Sequence, residues 1–259
     1  MITAYHRPRT LEEALTLLSR PSPRTMPLGG GTLLSHEKTD SVEVVDLQAL
    51  GLDKIAERGK SLEIGATTTL QSLVEHGGTK AAMHTALKLE APLNLRNAAT
   101  VAGTIVSCDG RSTLVTALLA LDAKLTVLYP APQGSEPVAK EESLAIGDFL
   151  PLRPAGLITR IAVPRQALLA FEYVSRTRSD KPIVCVAAAQ WPSGRTRLAV
   201  GGWGAAPRLA MDGTESEGIQ EAARNACHDA ADQWGSAAYR MDVAATLAER
   251  CLSALKIES

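Results

Sequence analysis

Two stretches of this chain have residue types and spacing that suggest chemistry: "PLGGGTLL" at 27–34 and "RNAATVAGTI" at 96–105. Gly29, Gly30 and Gly31 in succession give a backbone that takes positive φ at no steric cost and lets a ligand approach closely. A glycine-rich turn after a strand presents consecutive N–H groups, which suit anionic oxygens. Hydrogen bonds to a charged group of this kind contribute about 1.5–3 kcal/mol each. Two such loops closing on one ligand would suit a pyrophosphate; two unrelated tight turns are the competing reading. Asp109 and Arg111 follow the second stretch, either facing a ligand there or forming a solvated turn pair.

Other phosphate and nucleophile signatures do not fit. A dinucleotide fingerprint needs GxGxxG between a strand and a helix, and no further glycine stands at the required spacing after Gly31. A P-loop needs GxxxxGK[ST], whereas six residues separate Gly103 from Gly110 and Arg111 stands where lysine belongs. No GxSxG elbow is present. The five histidines (His6, His36, His76, His84, His228) show no HExxH or paired metal spacing. Cys108, Cys185, Cys227 and Cys251 are too scattered for a CxxC site or an iron–sulfur cluster, and read as small apolar core residues. With no acid–base constellation in view, any redox chemistry would belong to a bound cofactor.

The elements that must position these loops follow from pattern. "TLEEALTLLS" opens with a Thr10–Glu13 capping box and carries Leu11, Ala14, Leu15 and Leu18 on one helical face, ended by Pro21 and Pro23. "RTMPL" reads as a strand running into the glycines, and "VEVVDL" (42–47) and "SLEIGA" (61–66) as two more. Residues 68–76 read as a helix capped by Thr68 and Gln71, residues 81–90 as a helix, and the apolar run 114–123 as a buried helix followed by a strand at 124–129. The segment 130–143, rich in Pro, Gly and charge, is expected to be an exposed loop. Strands at 157–164, 168–175, 183–191 and 196–204 follow, the last two joined by the turn "PSG" (192–194), and the chain is helical from about 215. The expectation is an α+β protein with mixed elements over 1–165 and a sheet-then-helices unit over 166–259.

At 259 residues with 27 basic and 28 acidic side chains, the net charge of −1 gives no electrostatic case for nucleic acid or an anionic membrane. Aromatics at 3% argue against a base-stacking platform. No apolar run approaches membrane-spanning length and the N-terminus lacks a signal-peptide pattern, so no membrane insertion and a cytoplasmic, reduced setting are expected.

The ordered series of motifs resembles the FAD-binding (medium) subunit of molybdenum hydroxylases, the family of the carbon monoxide dehydrogenase medium subunit and the xanthine dehydrogenase flavin domain. "GGGTLL" (29–34) is similar to the family's first flavin loop, and "RNAATVAGT" (96–104) to its second. "LEIGATTTLQSL" (62–73), "ALLALDAKL" (117–125), "GDFL" (147–150), "ITRIAVP" (158–164), "FEYVSRTRSDKPIVCVAAA" (171–189), "LAVGGWGAAPRLA" (198–210) and "YRMDVAATLAERCL" (239–252) extend the resemblance over nearly the whole chain.

The resemblance implies a two-lobed FAD-binding domain of the vanillyl-alcohol-oxidase type over 1–165, with lobes of roughly 1–50 and 51–165. A small C-terminal antiparallel-sheet-and-helix domain would fill 166–259. It implies FAD as cofactor, its pyrophosphate held between the loop Leu28, Gly29, Gly30, Gly31, Thr32, Leu33 and Leu34 and the loop Thr100, Val101, Ala102, Gly103 and Thr104. Backbone N–H groups of Gly30, Gly31, Thr32, Leu33, Ala102, Gly103 and Thr104 would be the phosphate donors. Asp109 or Thr113 would approach the flavin and Ile183 the adenine side. Leu33, Ala102, Thr104 and Thr113 depart from the family pattern; any positive φ at Ala102 would be costly for a non-glycine residue. A small iron–sulfur subunit and a large molybdopterin subunit are the implied partners, with NAD or a quinone as electron acceptor. The organic substrate would bind elsewhere in the complex. The rival reading is a flavin-free structural or assembly subunit that keeps only the docking surface.

Overall fold

The computed structural model describes residues 1–34, 41–130, 140–177, 180–214 and 216–258. His36, residues 131–139 of the expected loop and Ser179 of the adenine-side segment lie outside them.

The first lobe is a small parallel sheet backed by one helix. Strands β1 (Ile2–His6), β2 (Thr25–Leu28) and β3 (Val42–Asp46) pair in the order β1-β3-β2, all parallel, with α1 (Leu11–Leu18) crossing between β1 and β2. The capping box forms with one shift of partner. The Glu13 N–H donates to Thr10 Oγ1 at 3.2 Å, while the Glu13 carboxylate accepts from the Arg9 N–H at 3.0 Å. Ala14, Leu15 and Leu17 pack with Val45 and Leu47, and also with Leu128 and Leu157 of the second lobe, so one small core joins the two lobes.

The second lobe carries a five-stranded antiparallel sheet. Its strands are β4 (Ile55–Arg58), β5 (Ser61–Gly65), β6 (Lys124–Tyr129), β7 (Lys140–Ala145) and β8 (Leu157–Pro164), in the order β4-β5-β8-β6-β7. Against it lie α2 (Leu70–Glu75), α3 (Ala81–Glu90), α4 (Leu93–Arg96), α5 (Val101–Ser107), α6 (Thr113–Ala120) and α7 (Ile146–Leu152). The α6 helix is buried at all eight positions, as its mostly apolar pattern predicts, with Thr113 and Thr116 the two buried polar residues. Its first turn is held by the Glu90 carboxylate, which accepts from Ser112 Oγ (2.8 Å) and the Leu114 N–H (2.9 Å).

Three expectations need correction here. Residues 140–143 form part of β7, paired with β6 along its length; charged side chains on this exposed edge strand gave it the composition of a loop. The α2 helix is capped by Thr69, which accepts from the Ser72 N–H at 3.1 Å, and not by Thr68 with Gln71. Thr68 is committed elsewhere: its carbonyl accepts from the Val101 N–H at 2.9 Å and its side chain is buried. The second glycine-containing stretch turns only at Asn97–Ala98; its small-residue half, from Val101, is the start of α5, capped by Thr100 Oγ1 accepting from the Gly103 N–H at 3.1 Å. Its Val, Thr, Ile and Gly content gives it poor helix propensity. Burial of Val101 and Ile105, one helical turn apart and both fully buried, overrides that preference.

The C-terminal unit is an antiparallel meander of β9 (Leu168–Val174), β10 (Val184–Gln190), β11 (Thr196–Gly201) and β12 (Arg208–Gly213), followed by α8 (Ile219–Ala226) and α9 (Ala237–Glu258). The "PSG" turn joins β10 to β11, with Gly194 at φ +86. Every residue of β10 except its last is buried, because the sheet is covered on both faces. Cys185, Ala187 and Ala189 face the core of the second lobe, and Val184, Val186 and Ala188 face α8 and α9. Small side chains on both faces let α6 and α9 approach the sheet closely.

A charged network ties this sheet to the end of α6. Asp212 accepts from Arg195 (Nε and Nη2, both 2.8 Å) and from Arg197 Nη1 (2.7 Å). Arg197, nearly buried, also reaches Asp122 Oδ1 at 3.4 Å and donates to the Leu119 carbonyl at 3.2 Å. The hydrogen bonds from Arg195, with the nearby Arg197 charge, hold the Asp212 carboxyl below the usual carboxylate range.

A carboxylate with a depressed folded pKa contributes stability that is present above its unfolded pKa, about 4, and is lost as the pH falls through the folded value. With Asp212 one-third exposed (33%), solvent screening limits its contribution to roughly 1 kcal/mol. Asp212→Asn is therefore expected to lower Tm by about 2–4 °C at pH 7, and the gap from wild type should close below about pH 4. Thermal melts of both proteins from pH 3 to 7 check this; a gap independent of pH would contradict it.

Candidate functional site

The β2 strand ends at Leu28, whose carbonyl accepts from the Leu47 N–H at 3.0 Å, and the chain turns into Gly29–Leu34 at the junction of the lobes. Opposite it, Ala98–Ala102 is laced to the turn between β5 and α2. The Leu70 N–H donates to Ala99 O (2.9 Å), Val101 N–H to Thr68 O (2.9 Å) and Ala102 N–H to Ala66 O (3.2 Å).

The three glycines bring these two segments together for distinct reasons. A Cβ on Gly30 would lie 1.7 Å from the Ala98 carbonyl oxygen, and one on Gly29 would lie 2.7 Å from Thr100 Oγ1. Gly31 sits at φ +70, in the left-handed region that side chains disfavour. The loops thus meet backbone to backbone, and the cleft between them has a volume of about 240 Å³. Its walls are Gly29, Gly30, Gly31, Thr32, Leu33 and Leu34 from one side, and Thr100, Ala102, Gly103, Thr104, Val106 and Ser107 from the other. Met26, Pro27 and Leu47 of the first lobe and Ala66, Thr67, Gly156, Leu157 and Ile158 of the second complete it.

Ten of the fifteen residues expected at a ligand therefore share one cleft, and five do not. Leu28 lies behind its loop, with Cδ1 3.4 Å from a Cβ built on Gly31. Val101 is fully buried in the core of the second lobe. Thr113 is also fully buried, its Oγ1 donating to the Ala86 carbonyl at 2.6 Å. Asp109 accepts from the Arg111 N–H at 2.9 Å and pairs with Lys181 at 3.6 Å, on a surface shared with the C-terminal unit. Arg111 crosses the same gap, donating to the carbonyls of Lys181 and Pro182 with its guanidinium 5.0 Å from the Trp234 ring centroid. Ile183 is buried under α9, its carbonyl accepting from Arg240 Nε at 3.2 Å. Arg96, beside the second loop, staples helices instead, donating to Gln71 Oε1 (3.0 Å) and the Ala91 carbonyl (2.8 Å).

The donor set also differs from expectation. The N–H groups of Ala102, Gly103 and Thr104 are engaged within the protein, with Ala66 O, Thr100 Oγ1 and Thr100 O respectively. Because Ala102 lies in α5, no positive φ is demanded of it, and the missing glycine carries no backbone cost. The polar residues of the lining are those of the Gly29–Leu34 loop together with Thr67, Thr100, Thr104 and Ser107, of which Thr104 Oγ1 and Ser107 Oγ donate to the Thr100 (2.9 Å) and Gly103 (2.8 Å) carbonyls. No charged side chain is among the described lining residues, so a bound anion would meet no carboxylate and would rest on backbone and hydroxyl dipoles. An anionic group such as the pyrophosphate of FAD is compatible with a lining that offers backbone dipoles and no carboxylate. Ala66 and Thr67 fall inside a motif visible in the sequence; Gly156, Leu157 and Ile158 carry no local signal, because only the return of β8 brings them here.

Elsewhere the chemistry is muted. Burial pushes the Cys108 thiol up to about 11 and those of Cys185, Cys227 and Cys251 up to about 12. Among the described residues no cluster of His, Cys, Asp and Glu is placed to hold a metal ion, and no helix is long and apolar enough to cross a membrane.

Two outcomes follow from this geometry. Gly30→Ala is expected to destabilise the chain by about 1–3 kcal/mol through the clash with Ala98, and Gly30→Asn at least as much. At Gly31, Asn tolerates the left-handed backbone better than Ala, so Gly31→Asn should cost less than Gly31→Ala; chemical denaturation of the four variants checks the reversed order. The four thiols, being protonated and buried, should react with a disulfide reagent at pH 8 only as fast as the protein unfolds. Fast labelling of any of them in native protein would contradict this.

The model of the FAD binding domain in molybdopterin dehydrogenase matches residues 1–166. YgfM of Escherichia coli (strain K12) is 28% identical over 254 residues, covering 95% of this chain and 94% of that protein. The carbon monoxide dehydrogenase medium chain of Afipia carboxidovorans is 28% identical over 169 residues, 62% of this chain and 58% of its own. The fold is similar to that in reconstituted carbon monoxide dehydrogenase from Oligotropha carboxidovorans, with a TM-score of 0.80 at 23% identity and coverage of 99% and 98% of the two chains. A lobe-to-lobe cleft lined by a triple glycine, within a match spanning both lobes, makes this chain a member of the FAD-binding family of molybdopterin dehydrogenases.

Proposed function

We propose that this chain holds FAD in the cleft between its lobes and serves as the electron-transfer subunit of a cytoplasmic molybdenum hydroxylase. In this reading a small iron–sulfur subunit delivers electrons drawn from a large molybdopterin subunit, and NAD or a quinone receives them. The observation that carries it is the convergence of Gly29–Leu34 and Thr100–Thr104 on one cleft without charged side chains. FAD, when bound, supplies the redox chemistry, accepting electrons singly or in pairs. The protein's own part is to bind and orient. Gly29 and Gly30 let the first loop close against Thr100 and Ala98, the Gly29–Leu34 backbone and the Thr32 hydroxyl line the cleft where the anionic segment would lie, and Leu33, Leu34, Leu157 and Ile158 exclude water beside it. The buried, scattered cysteines support a division of labour in which the clusters belong to the partner.

One observation favours the rival reading of a flavin-free structural subunit: the second segment spends its N–H donors within the protein. Absorption spectra of the purified chain, before and after incubation with FAD and desalting, separate the two. A visible flavin spectrum at about one FAD per chain is expected, weakened in Gly30→Ala. A colourless protein that retains no added FAD, yet still assembles with its partner subunits, would establish the structural role instead.

A further inference from the structure

The second lobe contains another cavity, remote from the cleft. It lies beside the Leu62–Val163 pair of β5 and β8, whereas Ala66, just past the far end of β5, lines the cleft roughly 13 Å of chain away from Leu62. The cavity has a volume of about 220 Å³, and its inner walls are Leu62, Ile64, Leu73, Met83, Leu118 and Val163. All six are core residues no more than 6% exposed, yet they leave space between the sheet and helices α2, α3 and α6. Well-packed interiors hold few voids above the size of a water molecule. Room on this scale is therefore a feature of the lobe that its packing alone does not require.

This interior suits neither water nor an ion. A buried water needs about two to four polar partners, and the six inner side chains offer only the weakly accepting Met83 sulfur. The polar groups among the remaining lining residues are engaged within the protein. Arg165 Nη2 pairs with Glu57 at 2.6 Å, Lys80 Nζ donates to the Arg165 carbonyl at 2.9 Å, and Thr79 Oγ1 donates to the Leu73 carbonyl at 2.7 Å. A carboxylate or an ammonium entering here would give up its hydration and meet charges that already have partners. An apolar molecule loses nothing by entering: an apolar void of about 150 Å³ already takes up benzene in preference to water. The Met83 thioether adds a preference for an aromatic ring, whose edge contacts sulfur favourably.

We infer that this cavity is a second ligand site, taking one compact, neutral aromatic molecule: a single ring with at most small apolar substituents. The ring fills the space between Leu62, Met83 and Leu118. Selectivity comes from size and from the exclusion of ionised groups, because the Glu57–Arg165 pair and the Lys80 ammonium are held by contacts of their own. The site is separate from the cleft: no residue lines both.

The methionines provide the test. Of the five in the chain, Met83 lines this cavity and Met26 lines the cleft. The full-length protein, labelled with 13C at its methionine methyl groups, is titrated with fluorobenzene and separately with 4-fluorobenzoate, the same ring carrying a charge. The expected result is a saturable shift of the Met83 resonance by fluorobenzene, with Kd on the order of 1 mM, while Met26 stays in place. The affinity for 4-fluorobenzoate should be about tenfold weaker or less. Val163→Phe puts a ring of the protein's own into the cavity and should weaken fluorobenzene binding about tenfold or more. Unmoved resonances of the methionines outside the cavity show that the variant is folded; if it is not, Leu62→Phe fills the space from the facing strand and serves in its place. Four results would overturn the inference: no shift of Met83 by fluorobenzene, movement of Met26 instead, equal affinity for the two probes, or wild-type fluorobenzene affinity in a folded filling variant.

Discussion

The approach of the Gly29–Gly30 backbone to the Ala98 carbonyl and the Thr100 hydroxyl is the contact on which the site depends. It joins two lobes through backbone atoms, at distances that leave no room for a Cβ at Gly30. The shared core of Leu15, Leu17, Val45, Leu128 and Leu157 supports it from below, so the lobes meet both through a small apolar joint and through this glycine seam. The cleft is the space these two contacts leave between them. A ligand entering it meets walls already positioned by packing within the protein, which reduces what must be ordered on binding.

The cleft is uncharged among its described lining residues, while charge is concentrated where units are joined. Arg195, Arg197, Asp122 and Asp212 fasten the C-terminal sheet to the end of α6. Arg111, Lys181 and Asp109 span the gap between that unit and the start of the same helix. Arg240, wholly buried, ties α9 to the Ile183 and Ala230 carbonyls and to Asp232. In each case the guanidinium donates to carbonyls or carboxylates, which burial of such a group requires, although Arg197 Nε has no hydrogen-bond partner among the described residues. Charge therefore shapes the frame, and dipoles line the cleft.

The helix α6 lies at the centre of this frame. Its outer neighbours are α3 and α7 on one side and strands β9 to β12 on the other, so it belongs equally to the second lobe and to the C-terminal unit. The β10 strand is the matching element in the sheet, with cysteine and alanine toward α6 and valine and alanine toward α9. The second lobe consequently has no solvent-facing side where the C-terminal unit packs.

Strong local patterns were legible in the sequence. The mostly apolar run of α6, the α1 helix with its Thr10 cap, the strands from 157 to 201 and the "PSG" turn follow from hydrophobic period, capping chemistry and turn residues, and the structure has each of them. The glycine run was legible as an unusual backbone. The reasons for Gly29 and Gly30 were not, because the atoms that forbid a Cβ there belong to residues about seventy positions away, whereas Gly31 takes the positive φ that the run suggested. Helix α5 was hidden by poor propensity and revealed only by burial of Val101 and Ile105. The cap of α2 moved to Thr69 because Thr68 is recruited by α5. Thr113, Asp109 and Ile183 stand close in sequence to the loops or to matching motifs, yet packing turns them into the core or toward another unit. Sequence alone determined the elements whose stability is local and the kind of ligand the loops suit. Tertiary structure decided which backbone groups remain to face that ligand, since each N–H can be spent only once and long-range partners claim some of them first.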